Sequence, residues 1–137
     1  MNISSRCEYA CRAVVELARN QSTQEPLTTT HIAEKRGIPE KYLVHILLQL
    51  KRAGIVKSVR GAQGGYLLGL APEDITVGSI LRAIDGPVLE PLPVLDAGGA
   101  DLVPTWKEIA QGIEAVLDGV TVREIVDRAD KSHMYYI

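Results

Sequence analysis

The fold is decided by residues 27–68, LTTTHIAEKRGIPEKYLVHILLQLKRAGIVKSVRGAQGGYLL. Near the start of this stretch, Thr28 lies between apolar residues, a pattern typical of a helix N-cap with a hydrophobic staple. The pattern predicts a first helix from Thr29 to about Arg36, which Gly37 ends. A tight turn then leads into the next element.

A second helix is predicted from Pro39 to Arg52, because apolar residues recur there at spacings of three and four. The residues that we expect to face the core are Tyr42, Leu43, Ile46, Leu47 and Leu50. The opposite face, which is free to contact another molecule, carries Lys41, Val44, His45, Gln49 and Arg52.

A short β-hairpin is predicted to follow the second helix. Residues 55–59 are rich in β-branched side chains, and the chain returns through the glycine-rich tip RGAQGG into Tyr66-Leu67-Leu68. Glycine permits a tight turn and a close approach to a phosphate backbone. These glycines lie between strands and no phosphate-loop motif follows, which argues against a nucleotide site. Helix, turn, helix and hairpin, in this order, are the parts of a winged helix-turn-helix.

Charge is divided unequally along the 137 residues. Residues 1–70 contain ten Lys and Arg against five Glu, a net charge of +5, whereas residues 71–137 contain five basic and twelve acidic residues, a net charge of −7. This division indicates one surface presented to a polyanion and another turned away from it. With two cysteines and no apolar run long enough for a signal peptide or membrane span, we expect a cytoplasmic protein without disulfides or a membrane partner.

The flanking segments predict a mostly α-helical fold class with a small β-hairpin wing. Ser4 or Ser5 is placed to cap a helix before the helix-turn-helix, and Thr76 to cap a short helix that ends at Gly86. Residues 86–104, GPVLEPLPVLDAGGADLVP, hold four of the seven prolines and show no periodicity, so we expect a loop.

A helix of nearly four turns is predicted from Thr105. Its apolar stripe comprises Trp106, Ile109, Ala110, Ile113, Val116 and Leu117, and its outer side Lys107, Glu108, Gln111 and Glu114. A single small domain has little apolar surface against which so broad a stripe can pack. Thr121 and Glu124 form a capping-box pattern that predicts a last short helix to about Ala129. The tail SHMYYI is expected to add a strand or to lie along a partner.

Several of these segments together resemble one family. A helix beginning near Ser4, the block YLVHILLQLKRAGIVKSVRGAQGGYLL, the segment DITVGSILRAIDG and a helix after a loop resemble the Rrf2 family of bacterial transcription regulators, which includes the IscR, NsrR and CymR types. The resemblance covers essentially the whole chain. It implies a homodimer that pairs through the long carboxyl-terminal helix, binds a pseudo-palindromic operator and usually represses. The implied pairing residues are Trp106, Ile109, Ile113, Val116 and Leu117.

On this basis we divide the chain into three parts. Residues 1–85 are the expected winged helix-turn-helix domain, residues 86–104 a loop where an effector or sensor acts, and residues 105–137 the dimerisation helix and tail. Iron-sulfur members of the family carry cysteines in this loop, whereas here it has none. Glu8 and His31 stand at or near positions that some members use as ligands, but without loop thiolates they do not hold such a cluster. We expect neither a cofactor nor a metal.

The candidate DNA-binding residues are Lys41, Tyr42, His45, Gln49, Arg52, Ser58, Arg60 and Gln63. Lys41 and His45, one turn apart, suit base edges in the major groove, whereas Gln49, Lys51, Arg52, Lys57 and Ser58 suit phosphates. The resemblance implies that Arg60 enters the minor groove, where the negative potential is concentrated. Some members place at Val44 a glutamate that makes or filters base contacts, so their operator preference does not transfer.

Cys7 and Cys11 lie one helical turn apart, which strains a direct disulfide. They are either two small buried hydrophobes or a redox or metal site, in which Arg6 and Arg12 lower a thiol pKa. The candidate metal-binding set in the second case is Cys7, Glu8, Cys11 and His31.

The sequence therefore predicts a homodimeric, sequence-specific DNA-binding regulator, a repressor that occludes promoter DNA. Its expected partners are double-stranded DNA, a second copy of the chain and a protein or small-molecule effector. No constellation of catalytic residues stands out, so we expect no enzyme. Two alternatives remain: a protein-interaction module, since Val44 and Leu48 make the second helix's exposed face apolar, and a metal- or redox-responsive sensor using Cys7 and Cys11.

Overall fold

The computed structural model describes residues 2–89 and 96–136. Met1, Ile137 and residues 90–95, which fall in the predicted loop, lie outside the described residues. The helices are α1 (Ser5–Arg19), α2 (Thr29–Arg36), α3 (Glu40–Arg52), α4 (Val77–Asp85), α5 (Val103–Asp118) and α6 (Val122–Tyr136), and the strands are β1 (Val56–Val59) and β2 (Gly65–Leu68). Short 3-10 turns occupy Gln21–Thr23, Pro72–Asp74 and Ala97–Leu102. Within the described residues, no helix has the length and apolar character that crossing a membrane requires.

Helix α1 lies at the centre of the fold. It packs against α2, α3, α4 and α6, and it also contacts β2. Ala10, Ala13 and Val14 are fully buried in it, and such small side chains let the surrounding helices approach closely. The apolar side of α3 completes the core with Leu43, Ile46, Leu47 and Leu50, all fully buried. One side of α3 therefore packs in the core, and the other side faces solvent.

The predicted helix starts are confirmed by their hydrogen bonds. The Ser4 side chain accepts a bond from the Cys7 amide and that of Thr28 from the His31 amide, each at 3.1 Å. At α4, Thr76 and Ser79 form a reciprocal capping box. These side chains satisfy amides that the first turn of a helix leaves unpaired, so each start is decided locally.

The hairpin has the predicted order, with β1 starting one residue later and β2 one residue earlier than expected. The strands pair in antiparallel register from Val56 opposite Leu68 to Val59 opposite Gly65. Tyr66 also exchanges backbone hydrogen bonds of 2.8 and 3.0 Å with Leu27, which ties the wing to the residue before α2. A Cβ on Gly65 would collide with the Leu27 carbonyl, so this close approach requires glycine.

The carboxyl-terminal third differs from expectation in its helix bounds. α5 begins at Val103 instead of Thr105, after the 3-10 turn. α6 continues to Tyr136, past Ala129, so residues 132–136 of the predicted tail extend a helix and form no strand. Residues 122–136 contain neither Gly nor Pro, and nothing local ends the helix. Val122 and Val126 of α6 are buried in the same core as α1.

The outer side predicted for α5 is wrong at Glu114. Its carboxylate pairs with Arg82 of α4 and accepts a 3.0 Å hydrogen bond from the Val88 amide. Asp118 of the same helix lies 2.7 Å from Arg82. The periodicity predicts that this polar side of α5 faces solvent. In the structure, Arg82 of α4 pairs with both carboxylates. These ion pairs with Arg82 add to the apolar packing of Leu117 in attaching α5.

Candidate nucleic-acid interface

The solvent-facing side of α3 presents a stripe of side chains spaced three and four residues apart. The stripe comprises Lys41, His45, Leu48 and Arg52, all exposed, with Val44 and Lys51 beside it. Because α3 buries only its opposite side, these side chains point away from the core. The sequence-predicted residues Lys41, His45 and Arg52 are therefore available to a partner.

The entrance to α3 is held in place by polar contacts. The Thr30 hydroxyl on α2 donates a 2.6 Å hydrogen bond to Glu40, the first residue of α3. Arg36, the last residue of α2, pairs at 2.7 Å with the largely buried carboxylate of Glu16 on α1. The first contact joins α2 to α3, and the second joins α2 to α1. Arg36 is engaged in this ion pair within the chain, so it does not add to the outward stripe of α3.

The wing supplies a second group of exposed polar residues. Lys57 and Ser58 on β1, Arg60 just beyond it and Gln63 at the tip are all exposed. A Cβ on Gly64 would collide with the Val59 carbonyl, so the turn at the tip is tight. Ser58, Arg60 and Gln63 are thus exposed on a hairpin whose first strand contacts α3.

Gln49 is the predicted site residue that the structure places elsewhere. Its side-chain amide donates to the Ile84 carbonyl of α4 at 3.4 Å, and its carbonyl oxygen accepts a bond from Arg6 of α1. Gln49 lies on the flank of α3 that faces α1 and α4. The helical spacing put it on the polar side but could not show that two neighbouring helices meet there. Gln49 is thus engaged within the chain, and its phosphate contact stays a prediction.

Tyr42 departs from its predicted place in the core. Its side chain is 46% exposed, and the Lys41 ammonium lies 5.1 Å from the centre of its ring. Because Tyr42 sits at the edge of the buried side, its ring borders the outward stripe. Tyr42 is therefore accessible, like the other candidate DNA-binding residues of the outward stripe.

The exposed cations of α3 and the wing are free of carboxylates. In residues 2–89 and 96–132, the ion pairs involve Arg12, Arg19, Arg36, Arg82, Arg123 and Arg128. None of Lys41, Lys51, Arg52, Lys57 and Arg60 takes part in them. These five residues form a positive surface that has no ion pair with the described part of the chain, which suits a polyanion.

Both thiols have raised pKa values, and Cys7 is buried whereas Cys11 is half-buried. Cys7 is buried and its thiol donates to Asp85 at 3.2 Å; burial is the main cause that raises its pKa, and the Arg6 charge lowers it only slightly. Burial likewise raises the pKa of Cys11 to about 12. Arg12 pairs with Glu8 and does not activate either thiol. The expectation that Arg6 and Arg12 produce a low thiol pKa is wrong.

The candidate metal ligands are not gathered together. Among the residues that the structure describes, no group of three or more His, Cys, Asp or Glu side chains is close enough to hold a metal ion. Cys7 is engaged with Asp85, and Glu8 with Arg12. His31 lies exposed on α2. Within one chain, Cys7, Glu8, Cys11 and His31 therefore do not form a site.

The apolar stripe of α5 is only partly covered. Ile109 and Val116 are 43% and 71% exposed, whereas Trp106, Ile113 and Leu117 are half-buried. No residue of α5 is fully buried. Leu117 packs against the core, and Arg82 holds Glu114 and Asp118 beside it, so the part of the stripe that faces water is the edge formed by Ile109 and Val116.

Two internal partners in this region were missed from the sequence. Arg82 holds Glu114 and Asp118, and Asp85 accepts bonds from Ser4 at 2.7 Å and from Cys7. These bonds are the main cause that lowers the pKa of Asp85, and the bond from Arg82 does the same for Asp118. One signal was available: Arg82 is the only basic residue between Arg60 and Lys107.

Comparison with known proteins agrees with this geometry. Residues 3–128 match the family model described as "Rrf2: Iron-dependent Transcriptional regulator". The chain is 34% identical to the HTH-type transcriptional regulator CymR of Bacillus subtilis over the full length of both. A solved structure of B. subtilis CymR, called the global cysteine regulator, superposes with a TM-score of 0.79 at 35% identity, covering 93% of this chain and 98% of the other. For T. potens IscR the TM-score is 0.78 at 34% identity, covering 99% and 97%.

Proposed function

The chain belongs to the Rrf2 family of transcriptional regulators, and from this membership we propose that it is a homodimeric, sequence-specific repressor. Its relatives are DNA-binding regulators and not enzymes. The observation that carries the proposal is the positive surface of α3 and the wing, whose cations have no carboxylate partner in the described chain. DNA supplies the missing counter-charge as a regular row of phosphates.

The geometry supports a division of labour between α3 and the wing. On α3, the Lys41 ammonium can donate hydrogen bonds to base edges in the major groove, and the His45 imidazole can donate or accept them. Lys51, Arg52, Lys57 and Ser58 flank them and suit phosphates, which position the protein without specifying a sequence. Arg60, exposed just beyond β1, is proposed to enter the adjacent minor groove. A dimer bound in this way over a promoter represses by occupying the DNA that the polymerase needs.

The partly uncovered stripe of α5 supports the homodimer. A single chain exposes Ile109 and Val116 to water, and a second copy of the same stripe covers both sets symmetrically. Two reading heads related by a two-fold axis fit half-sites about one DNA turn apart, roughly 34–36 Å. The operator is then a pseudo-palindrome.

We propose further that the protein works without the family's iron-sulfur cluster. Residues 86–104 offer only the carboxylates Glu90, Asp96 and Asp101 as acidic ligands and no cysteine or histidine. Iron-sulfur clusters are held chiefly by thiolates. The two thiols present elsewhere, Cys7 and Cys11, have raised pKa values that disfavour the thiolate. Residues 86–104 instead remain the expected place for a protein or small-molecule effector.

Selection from random DNA tests the proposed function. The purified protein should enrich a pseudo-palindrome, and its affinity should fall steeply as salt rises, by about one log unit per contacted phosphate and tenfold change in salt. Arg60→Ala should weaken binding to that sequence about tenfold, ~1.4 kcal/mol. Arg128→Ala, which removes an exposed arginine on α6, is the matched control and should bind normally. Failure to enrich any sequence would reject the proposal.

The oligomeric state is tested separately. Sedimentation should give twice the 14.9 kDa chain mass, and Val116→Glu should yield monomers because symmetry places two added charges in one apolar interface. Ala115→Glu changes the exposed neighbour on another side of the helix and should leave the dimer intact. A Val116→Glu protein that stays dimeric would place the interface elsewhere.

A further inference from the structure

The outward side of α3 carries two exposed branched apolar side chains. Val44 is 44% exposed and Leu48, one turn later, is 39% exposed. α3 packs against α1, α2, α4 and β1 through its opposite side, so no element of the described chain covers them. Leu48 belongs to the outward stripe and Val44 lies beside it, both between Lys41 and Arg52 along the helix, on the surface that the proposed function places in the major groove.

We propose that Val44 and Leu48 read the 5-methyl groups of thymines in the operator. The proposal rests on the proposed function, since it concerns the same surface. In the major groove, thymine alone presents an apolar methyl group, whereas the other base edges present hydrogen-bonding groups only. An apolar side chain buries a methyl group favourably and leaves a cytosine amine without an acceptor. The pair therefore favours thymine and disfavours cytosine.

The charges around the pair favour DNA over an apolar protein partner. Lys41, Lys51 and Arg52 surround Val44 and Leu48, and none of these cations is paired with a carboxylate of the described residues. Glu40, the one acidic residue of α3, is engaged by Thr30 at 2.6 Å. A partner must offer apolar groups in the centre and negative charge around them. A thymine-containing major groove offers methyl groups between two rows of phosphates.

Deoxyuridine substitution in the selected operator tests the inference. Uracil lacks only the methyl group of thymine and keeps its hydrogen-bonding groups, so the change isolates the apolar contact. The wild-type protein should bind about fourfold more weakly when the contacted thymine is replaced, the equivalent of ~0.8 kcal/mol for one buried methyl-sized group. Thymines outside the two half-sites serve as the internal control and should be insensitive.

Protein variants complete a double-mutant cycle. Val44→Ala or Leu48→Ala shortens the side chain at an exposed helix position, where alanine is well tolerated. Each variant should bind the thymine operator more weakly and lose the sensitivity to uracil at its own position. Leu70→Ala, which shortens another leucine that is 44% exposed, should keep the full wild-type sensitivity.

The outcomes separate this inference from the proposed function. If the protein binds its operator and no thymine-to-uracil change affects affinity, the inference is wrong while the proposed function stands. If the two alanine variants bind DNA like wild type, the apolar pair meets something else, such as a protein surface, and the inference is again wrong. If no DNA sequence is bound at all, the proposed function fails first.

Discussion

Gln49 on α3 donates its side-chain amide to the backbone carbonyl of Ile84, in the last turn of α4, with 3.4 Å between nitrogen and oxygen. The other end of the same amide accepts a bond from Arg6 on α1. One side chain thus joins three helices just before residues 86–104. The proposed DNA-reading helix is thereby connected to the segment where we expect an effector to act.

Replacing Gln49 should affect stability and not the salt dependence of DNA binding. Gln49→Ala removes the partner of Ile84 and Arg6 and should lower the free energy of unfolding by about 1 kcal/mol, measured by urea denaturation. No phosphate contact is lost, so the slope of log affinity against log salt should stay unchanged.

Arg52→Ala is the matched comparison on the same helix. Its side chain is exposed and has no ion pair in the described chain, so stability should change by no more than about 0.5 kcal/mol. The salt slope should fall by about 1 because one phosphate contact is lost. If the two variants showed the reverse pattern, Gln49 would contact phosphate after all.

The attachment of α5 to α4 should weaken in acid. The hydrogen bond from Arg82 holds the pKa of Asp118 below its ordinary value of 3.8. A lowered carboxyl pKa contributes stability that is complete above about pH 5 and is lost as the pH falls through the folded-state pKa. Asp118→Asn should therefore be less stable than wild type at pH 7 and equal to it near pH 2. Both groups are partly exposed, so we expect a difference of about 0.2–1 kcal/mol.

Thermal melting of both proteins between pH 7 and pH 2 measures this difference. Asp127→Asn, on the exposed side of α6, is the control and should follow the wild-type curve. A constant gap between wild type and Asp118→Asn down to the lowest pH would show that the carboxylate charge is not what attaches α5.

Gly78 of α4 should resist substitution although it lies in a helix. A Cβ there would collide with the Asp118 carboxylate and lie 3.0 Å from the Arg82 guanidinium. Gly78→Ala moves these side-chain ends out of their ion pair, and the lost pairing of up to about 1 kcal/mol should cancel the gain of about 1 kcal/mol from the better helix propensity of alanine, so the variant should be no more stable than wild type.

Gly119→Ala, at the end of α5, is the control for this substitution. Gly119 has a φ of −83°, and a Cβ there meets its nearest atoms at an ordinary 3.4 Å. We expect its stability to stay within about 0.5 kcal/mol of wild type. A Gly78→Ala protein more stable than wild type would mean that Asp118 moves aside at no cost.

The thiols should react slowly in the folded protein. A pKa of about 12 for Cys11, against an ordinary value of 9.0, leaves about a thousandfold less thiolate near neutral pH. Cys7 is buried and also has a raised pKa. Labelling with a disulfide reagent at pH 8 should be slow before denaturation and should give two thiols per chain after it. Rapid labelling of the native protein would restore the redox-sensing alternative.

Local signals in the sequence were sufficient for the helix-turn-helix and the wing. The cap at Thr28, the stop at Gly37 and the apolar periodicity of α3 each involve residues within a few positions of one another, so they can be found without knowledge of the rest of the fold. The exposed cations Lys41 and Arg60 follow from the same patterns. The division of charge between the two halves of the chain likewise needed no structure.

What only the tertiary structure decided lies at contacts between elements distant in sequence. Periodicity separates the buried side of a helix from its opposite side, but residues on the flanks depend on which helix packs there. Gln49 forms hydrogen bonds within the chain because α4 and α1 pack beside it. Glu114 is held inside because it pairs with Arg82. The thiol pKa values depend in the same way on burial created by surrounding helices. The local sequence determines whether a residue is helical and charged, whereas its neighbours in space determine whether that charge faces solvent or pairs within the protein.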